Sequence, residues 1–246
     1  MTAEHLADPV ALMNGVPFLD DGFHHRRLLA GVAAVRHAEA VHAGHHAGRR
    51  AEAWLWPSAV HLLRSSAPMP AAPLTPSRQA EVKRQLAAAS ALIPTWEPLL
   101  KLPIRYARLT PSRGAISASS RDWPQHVLLA DAAFTSDAEL REQILHETAH
   151  QWLYLMQELW RLDDTDAPPV TLPSGTTNRS PAEALGAAHV AAVLIRLYRA
   201  CGDIPAGRTA ERVAHLTAYG AGCLDRAQHL TPAGARIAER IAEHLT

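Results

Sequence analysis

The chain has 246 residues, 48% of them hydrophobic, with 24 basic and 24 acidic side chains. That length can bury a sizeable core, and a net charge of zero excludes the long-range field that would recommend nucleic acid or an anionic membrane as a partner. No apolar run of about 18 residues is present, and the start, MTAEHLADPVALMN, lacks the basic and apolar regions of a signal peptide, so the expected location is the cytoplasm.

Residues 1–100 read as a helical N-terminal region. DGFHHRRLLAGVAAVRHAEAVHA and SRQAEVKRQLAAASALI carry apolar residues at three- and four-residue spacing, the second bounded by Pro76 and Pro94. Between them AWLWPSAVHLL reads as a short buried helix broken near Pro57, and residues 66–76 as a proline-rich connector. Fifteen histidines is an unusual count, and His37, His42, His45 and His46 cluster in HAEAVHAGHHAGRR. This tract reads as a solvated helix end with incidental metal affinity; the alternative is a metal- or pH-sensing tract. Cys201 and Cys223 match no zinc spacing and read as reduced packing residues.

Residues 101–246 form the second region, the two together making one compact domain. PIRYARLT, GAISASS and QHVLLAD are short segments separated by turn residues, which predicts a small antiparallel sheet of two or three strands. Helices resume at Ser136, so the fold class is mainly α with a minor antiparallel β-sheet. Ser136-Asp137-Ala138-Glu139 is a capping box, and the absence of glycine and proline up to Pro168 predicts one helix from about 137 to 161.

That helix carries HETAH. His146 and His150 share one face, one turn apart, which is the spacing with which two imidazoles bind a single zinc or iron ion. Glu147 swings to one side, where it can take a proton from a water on the metal. The plain alternative is a pair of packing histidines on a half-apolar face.

A catalytic metal needs a third ligand, expected from the next helix, SPAEALGAAHVAAVLIRLYRA, which the long helix would pack against. Glu183 and His189 are the candidates there. They lie about 9 Å apart along the axis and about 240° apart around it, so one ion does not readily take both. Glu183 also completes the capping box Ser180-Pro181-Ala182-Glu183, and His189 in an apolar helix reads either as a ligand or as a hydrogen-bonded core histidine. The intervening loop at 163–179 is long enough for a lid or substrate wall. Arg179 at its end and Arg196 on the His189 face could each meet a carboxylate; solvent exposure is the alternative for Arg179.

HETAH in a long helix, RSPAEALGAAHVAAVLIRLYR and the closing LTPAGARIAERIAEHL together resemble the HExxH-motif proteins of ribosomal-peptide modification clusters, over about residues 140–245. The resemblance implies a metalloenzyme acting on a precursor peptide. It implies His146, Glu147, His150 and His189 as functional positions and, for some members, iron(II) and 2-oxoglutarate in the hydroxylation of a β-carbon. In that oxygenase reading Arg179 or Arg196 would hold the far carboxylate of the cosubstrate. A zinc peptidase with Glu147 as general base is the alternative, with a strand such as QHVLLAD pairing an extended substrate. A non-catalytic helical peptide-binding domain is the second alternative.

Overall fold

The computed structural model describes residues 8–45, 50–64, 71–110 and 114–246. It is mainly helical, with 62% helix and 7% strand. In chain order the helices are α1 (Pro9–Met13), α2 (His25–His42), α3 (Pro57–Arg64), α4 (Pro76–Leu92), α5 (Glu97–Leu100), α6 (Asp137–Gln157), α7 (Pro181–Ala200), α8 (Ala206–Arg226) and α9 (Pro232–His244). The strands are β1 (Ala72–Pro73), β2 (Arg105–Arg108), β3 (Ser117–Ala118) and β4 (His126–Leu129). Among the described residues no helix is long and apolar enough to cross a membrane. The proline-rich connector at 66–76 lies outside the described residues as far as Pro70, as do positions 46–49 of the histidine tract.

The chain divides into two compact units, Arg26–Leu159 and Met1–His25 with Trp160–Thr246. In the 26–159 unit the strands form one sheet in the order β1-β2-β4-β3. It is mixed, which corrects the antiparallel expectation: β1 and β3 run antiparallel to their neighbours, but β2 and β4 pair in parallel from Arg105↔His126 to Arg108↔Leu129. A parallel pair needs a crossover of a dozen or more residues. Seventeen residues separate Arg108 from His126 in sequence, enough for it, and β3 falls among them. β4 is buried along its whole length, as a central strand covered on both faces must be. Val127 and Leu129 pack with Val82 of α4 and with Leu140 and Ile144 of α6 in one apolar cluster.

The segment around Pro57 also departs from expectation. A 3₁₀ turn at Ala51–Leu55 precedes α3, and proline opens that helix, where its missing N–H costs nothing. Trp54 is buried, whereas Trp56 is 60% and Leu62 64% exposed, so the segment is only half buried.

A buried ion pair holds this unit at one end. Arg36 of α2, fully buried, donates from Nε and Nη2 to the two carboxylate oxygens of Glu158, at 2.9 and 2.6 Å. Its Nη1 donates to the Trp54 carbonyl and to Gln125 Oε1. Gln125, in a left-handed conformation with φ 58°, in turn donates from its backbone N–H to Gln151 Oε1 at 2.6 Å. Gln151 Nε2 donates to the His126 carbonyl. Two hydrogen bonds from the residue after His150 thus fix α6 against the start of β4.

In the other unit α7 is buried around most of its circumference and packs on α8. Gly220 permits the approach, since a Cβ there would stand 2.6 Å from Leu245 and 3.1 Å from the Ala191 Cβ. The hook at Val16–Asp20 is tied by side chains from two helices, Arg196 of α7 at the Phe18 and Leu19 carbonyls and Arg240 of α9 at Asp20. Asp20 accepts from Arg240 of α9 and, at 2.7 Å, from the Val16 N–H. Gly15 takes φ 119°, a conformation that L side chains rarely adopt, and a Cβ there would fall 2.3 Å from that of Asp20. The 163–179 loop folds back on itself: Val170 and Arg179 exchange N–H···O bonds of 2.7 and 3.1 Å around a turn at Gly175.

Candidate metal centre

α6 starts where the sequence places it but ends at Gln157, four residues short of the expected 161. Its cap is half of the expected box. Ser136 accepts from the Glu139 N–H at 3.1 Å, while the Glu139 carboxylate accepts instead from Gln143 Nε2 at 2.9 Å. Most of the helix is buried. A stripe of partly exposed residues, Gln143, His146, His150, Tyr154 and Gln157, runs along one face at three- and four-residue steps.

The two motif histidines lie on that stripe with ring centroids 5.0 Å apart and planes at 66°. His150 stacks on Tyr154 at 5.9 Å and 14°, which restrains its ring. Glu147 is 3% exposed, and its Oε1 lies 4.0 Å from His146 Nε2, beyond hydrogen-bond reach. Oε1 accepts from Ser117 Oγ of β3 at 2.5 Å. Gln143 Oε1 lies 2.7 Å from the same hydroxyl, whose single proton the charged carboxylate takes by preference. β3 is an edge strand, so the edge of the sheet and the motif carboxylate are in direct contact.

Behind the motif, Thr148 Oγ1 donates to the Ile144 carbonyl at 2.7 Å and meets the phenol of Tyr106 on β2. Burial pushes that phenol up to about 12, against the Thr148 hydrogen bond, so it stays a neutral donor through the physiological range. Trp152 Nε1 donates to the Leu99 carbonyl at 3.0 Å. The motif residues therefore stand on a helix fixed by polar bonds to β3, β4 and the segment around α5.

The other candidates belong to the second unit. Glu183 is a helix cap there: Oε2 accepts from the Ser180 N–H at 2.8 Å while Ser180 Oγ accepts from the Glu183 N–H. Its Oε1 accepts from Arg179 Nη1 at 2.6 Å, so this carboxylate and this guanidinium neutralise each other. Arg196 donates to the carbonyls of Phe18 and Leu19 at 2.8 and 2.9 Å and pairs with Asp21.

His189 is fully buried, with Nε2 2.8 Å from the Pro17 carbonyl. A carbonyl only accepts, so Nε2 carries the proton and Nδ1, buried with no hydrogen-bond partner, keeps the lone pair. His189 is thus a hydrogen-bonded core histidine with one nitrogen still in ligand form. Burial holds it at about 4, well below the ordinary 6.5. The unfolded chain takes up that proton below pH 6.5 and the folded one only near 4, so stability is full above 6.5 and falls between these values as the pH drops. The metal-free protein is expected to lose up to about 3 kcal/mol over that window from this group. Denaturant midpoints at pH 7 and 4.5 measure it, and His189→Gln is expected to make the difference smaller by that share. His126 and His244, also lowered by burial, add in the same direction.

The HETAH pair supplies the two-imidazole part of a zinc or non-haem iron site, with a carboxylate beside it. Among the described residues no group of three or more His, Cys, Asp or Glu side chains converges as a complete ligand set would. Ser117, Gln151 and Tyr106 were not legible as site residues, because their roles come from strand pairing across long stretches of chain. Gln143 has a weak signal, four positions before Glu147. No protein-family model matches the chain, and no curated protein matches it.

Proposed function

We propose that this protein is a metal-dependent enzyme that modifies a peptide, with the ion on His146 and His150 of α6. The observation that carries the reading is the juxtaposition of these two half-exposed imidazoles with a buried carboxylate, Glu147, held by a hydroxyl of an edge strand. Zinc, iron and manganese all accept such imidazoles, and an open sheet edge suits an extended peptide chain.

Hydroxylation of a precursor peptide with iron(II) and 2-oxoglutarate is the reaction we propose first, supported by the sequence resemblance over about 140–245. Its cost is visible in the second unit. Arg179 and Arg196, the candidates for the cosubstrate carboxylate, are each already paired there, with Glu183 and with Asp21. Peptide hydrolysis with zinc is the second reading, favoured by a carboxylate oxygen of Glu147 that Ser117 holds 4.0 Å from His146 Nε2, beside the imidazoles where a general base is needed.

Glu147→Gln separates the two. It keeps the size of the side chain and removes the base. Hydrolysis is expected to fall by about 10²-fold or more, whereas hydroxylation is expected to persist within about 10-fold. Mass spectrometry of peptide incubated with iron-loaded protein and 2-oxoglutarate reads the gain of one oxygen atom, and with zinc-loaded protein reads cleavage. Neither product from either loaded form would overturn the proposal.

A further inference from the structure

His126 opens β4 with its side chain buried, and its Nδ1 lies 2.9 Å from the Pro124 carbonyl. The carbonyl can only accept, so Nδ1 holds the proton and Nε2 the lone pair. That Nε2 is buried with no hydrogen-bond partner. The ring of His61, from α3, lies beside that of His126 at a centroid distance of 5.8 Å and an interplanar angle of 61°, and His61 Nδ1 is likewise buried without a partner. Two neighbouring imidazoles of the same unit thus each keep an orphaned nitrogen.

Such nitrogens are costly to bury unless something takes their lone pairs. Metal-ligating histidines characteristically donate their other ring N–H to a carbonyl or carboxylate, which fixes tautomer and ring orientation, and His126 is held in that way by Pro124. With metal–nitrogen bonds of about 2.0 Å, two imidazoles sharing one ion have centroids roughly 5–6.5 Å apart, and the observed separation falls inside that range. Burial lowers the proton affinity of His126, which keeps it in the neutral form that ligates. The field of Arg105 opposes a cation there, but that side chain is exposed and so screened by water and salt.

We propose that His61 and His126 form a second metal site, separate from the HETAH face, that takes a late first-row cation and fits monovalent copper best. Among the described residues no third His, Cys, Asp or Glu joins them, and a monovalent d¹⁰ ion accepts two ligands where structural zinc wants four. The competing occupant is a bridging water, which would donate to both nitrogens.

The test uses the full-length untagged protein carrying His146→Ala and His150→Ala, so that the motif pair contributes nothing. Titrated anaerobically with copper(I) against a chromogenic chelator, it is expected to retain about one equivalent, and His61→Ala is expected to weaken that binding at least about 10-fold. His126→Gln should do the same; because it alters the core, the partly exposed His61 supplies the independent variant. ¹⁵N spectra of the histidines should show His126 Nε2 and His61 Nδ1 shifting on copper addition. Unchanged stoichiometry and affinity in His61→Ala, as adventitious binding by the run at 37–46 would give, overturns the proposal, as does an unshifted His126 Nε2.

Discussion

Replacing His146 and His150 together by alanine is expected to lower affinity for the metal proposed on α6 by roughly 100-fold or more, and with it the proposed activity. Even outer partners of metal ligands cost 10–100-fold when removed, and here both imidazoles supplied by α6 would go. Each single substitution should produce most of the loss, because one imidazole on a half-exposed helix face has no special affinity. The fold should tolerate the change. Both side chains are partly exposed, neither belongs to the apolar cluster of Val127, Leu129, Leu140 and Ile144, and alanine is the best helix former. Metal content of untagged protein, measured beside the circular dichroism spectrum, separates a lost site from a lost fold. Metal content unchanged from the unsubstituted protein, beyond the equivalent that His61 and His126 are proposed to hold, would place the ion elsewhere.

Glu158→Ala is expected to be among the most destabilising single changes in the 26–159 unit, by about 3–5 kcal/mol. It leaves the guanidinium of Arg36, which is fully buried, without its bidentate partner, and a buried charge that loses its counter-ion is penalised far more than the pair itself contributes. Arg64 also donates to Glu158, from a more exposed position, and loses less. Replacing Arg36 by Met together with Glu158 by Leu should recover much of the loss, since an apolar pair of similar size leaves no uncompensated charge, although Gln125 Oε1 and the Trp54 carbonyl then lose a donor. Urea denaturation of the two variants measures both effects. The single change should also loosen the register of α6, because Gln125, which bonds Arg36, bonds Gln151 too.

The helices were legible because their signals are local. Thr75-Pro76 and Ser180-Pro181 place a capping side chain and then a proline at the first helical position, and α4 and α7 begin there. Glu183 was legible as a cap for the same reason, and the reciprocal Ser180 bonds are formed. The sheet was legible in place only in part and not in topology: β2, β3 and β4 lie in the stretch read as strands, but the sheet has four strands and β1 falls in the segment read as a proline-rich connector. β1 and β3 are two residues each, too short for alternation to show, and the β2–β4 pairing is parallel because of a crossover that no local pattern announces.

The metal-site candidates divide along the same line. The relation of His146 to His150 follows from helix geometry alone. The hold of Ser117 on Glu147 depends on where β3 pairs, and the hold of Pro17 on His189 joins residues far apart in sequence. Nothing local in the sequence separates Arg36 from the other charges of α2; its burial against Glu158 comes from the fold. His126 looked like part of a strand, and its bare nitrogen appears only when α3 places His61 beside it.

Diffraction from crystals of metal-loaded protein, collected on both sides of the metal's absorption edge, tests the central claim most directly. An anomalous peak between the rings of His146 and His150, about 2.0–2.1 Å from a nitrogen of each, is the predicted result, and the same map shows whether His189, Glu183 or neither completes the ligand set. A peak confined to the histidine run at 37–46, with none on the HETAH face, would contradict it.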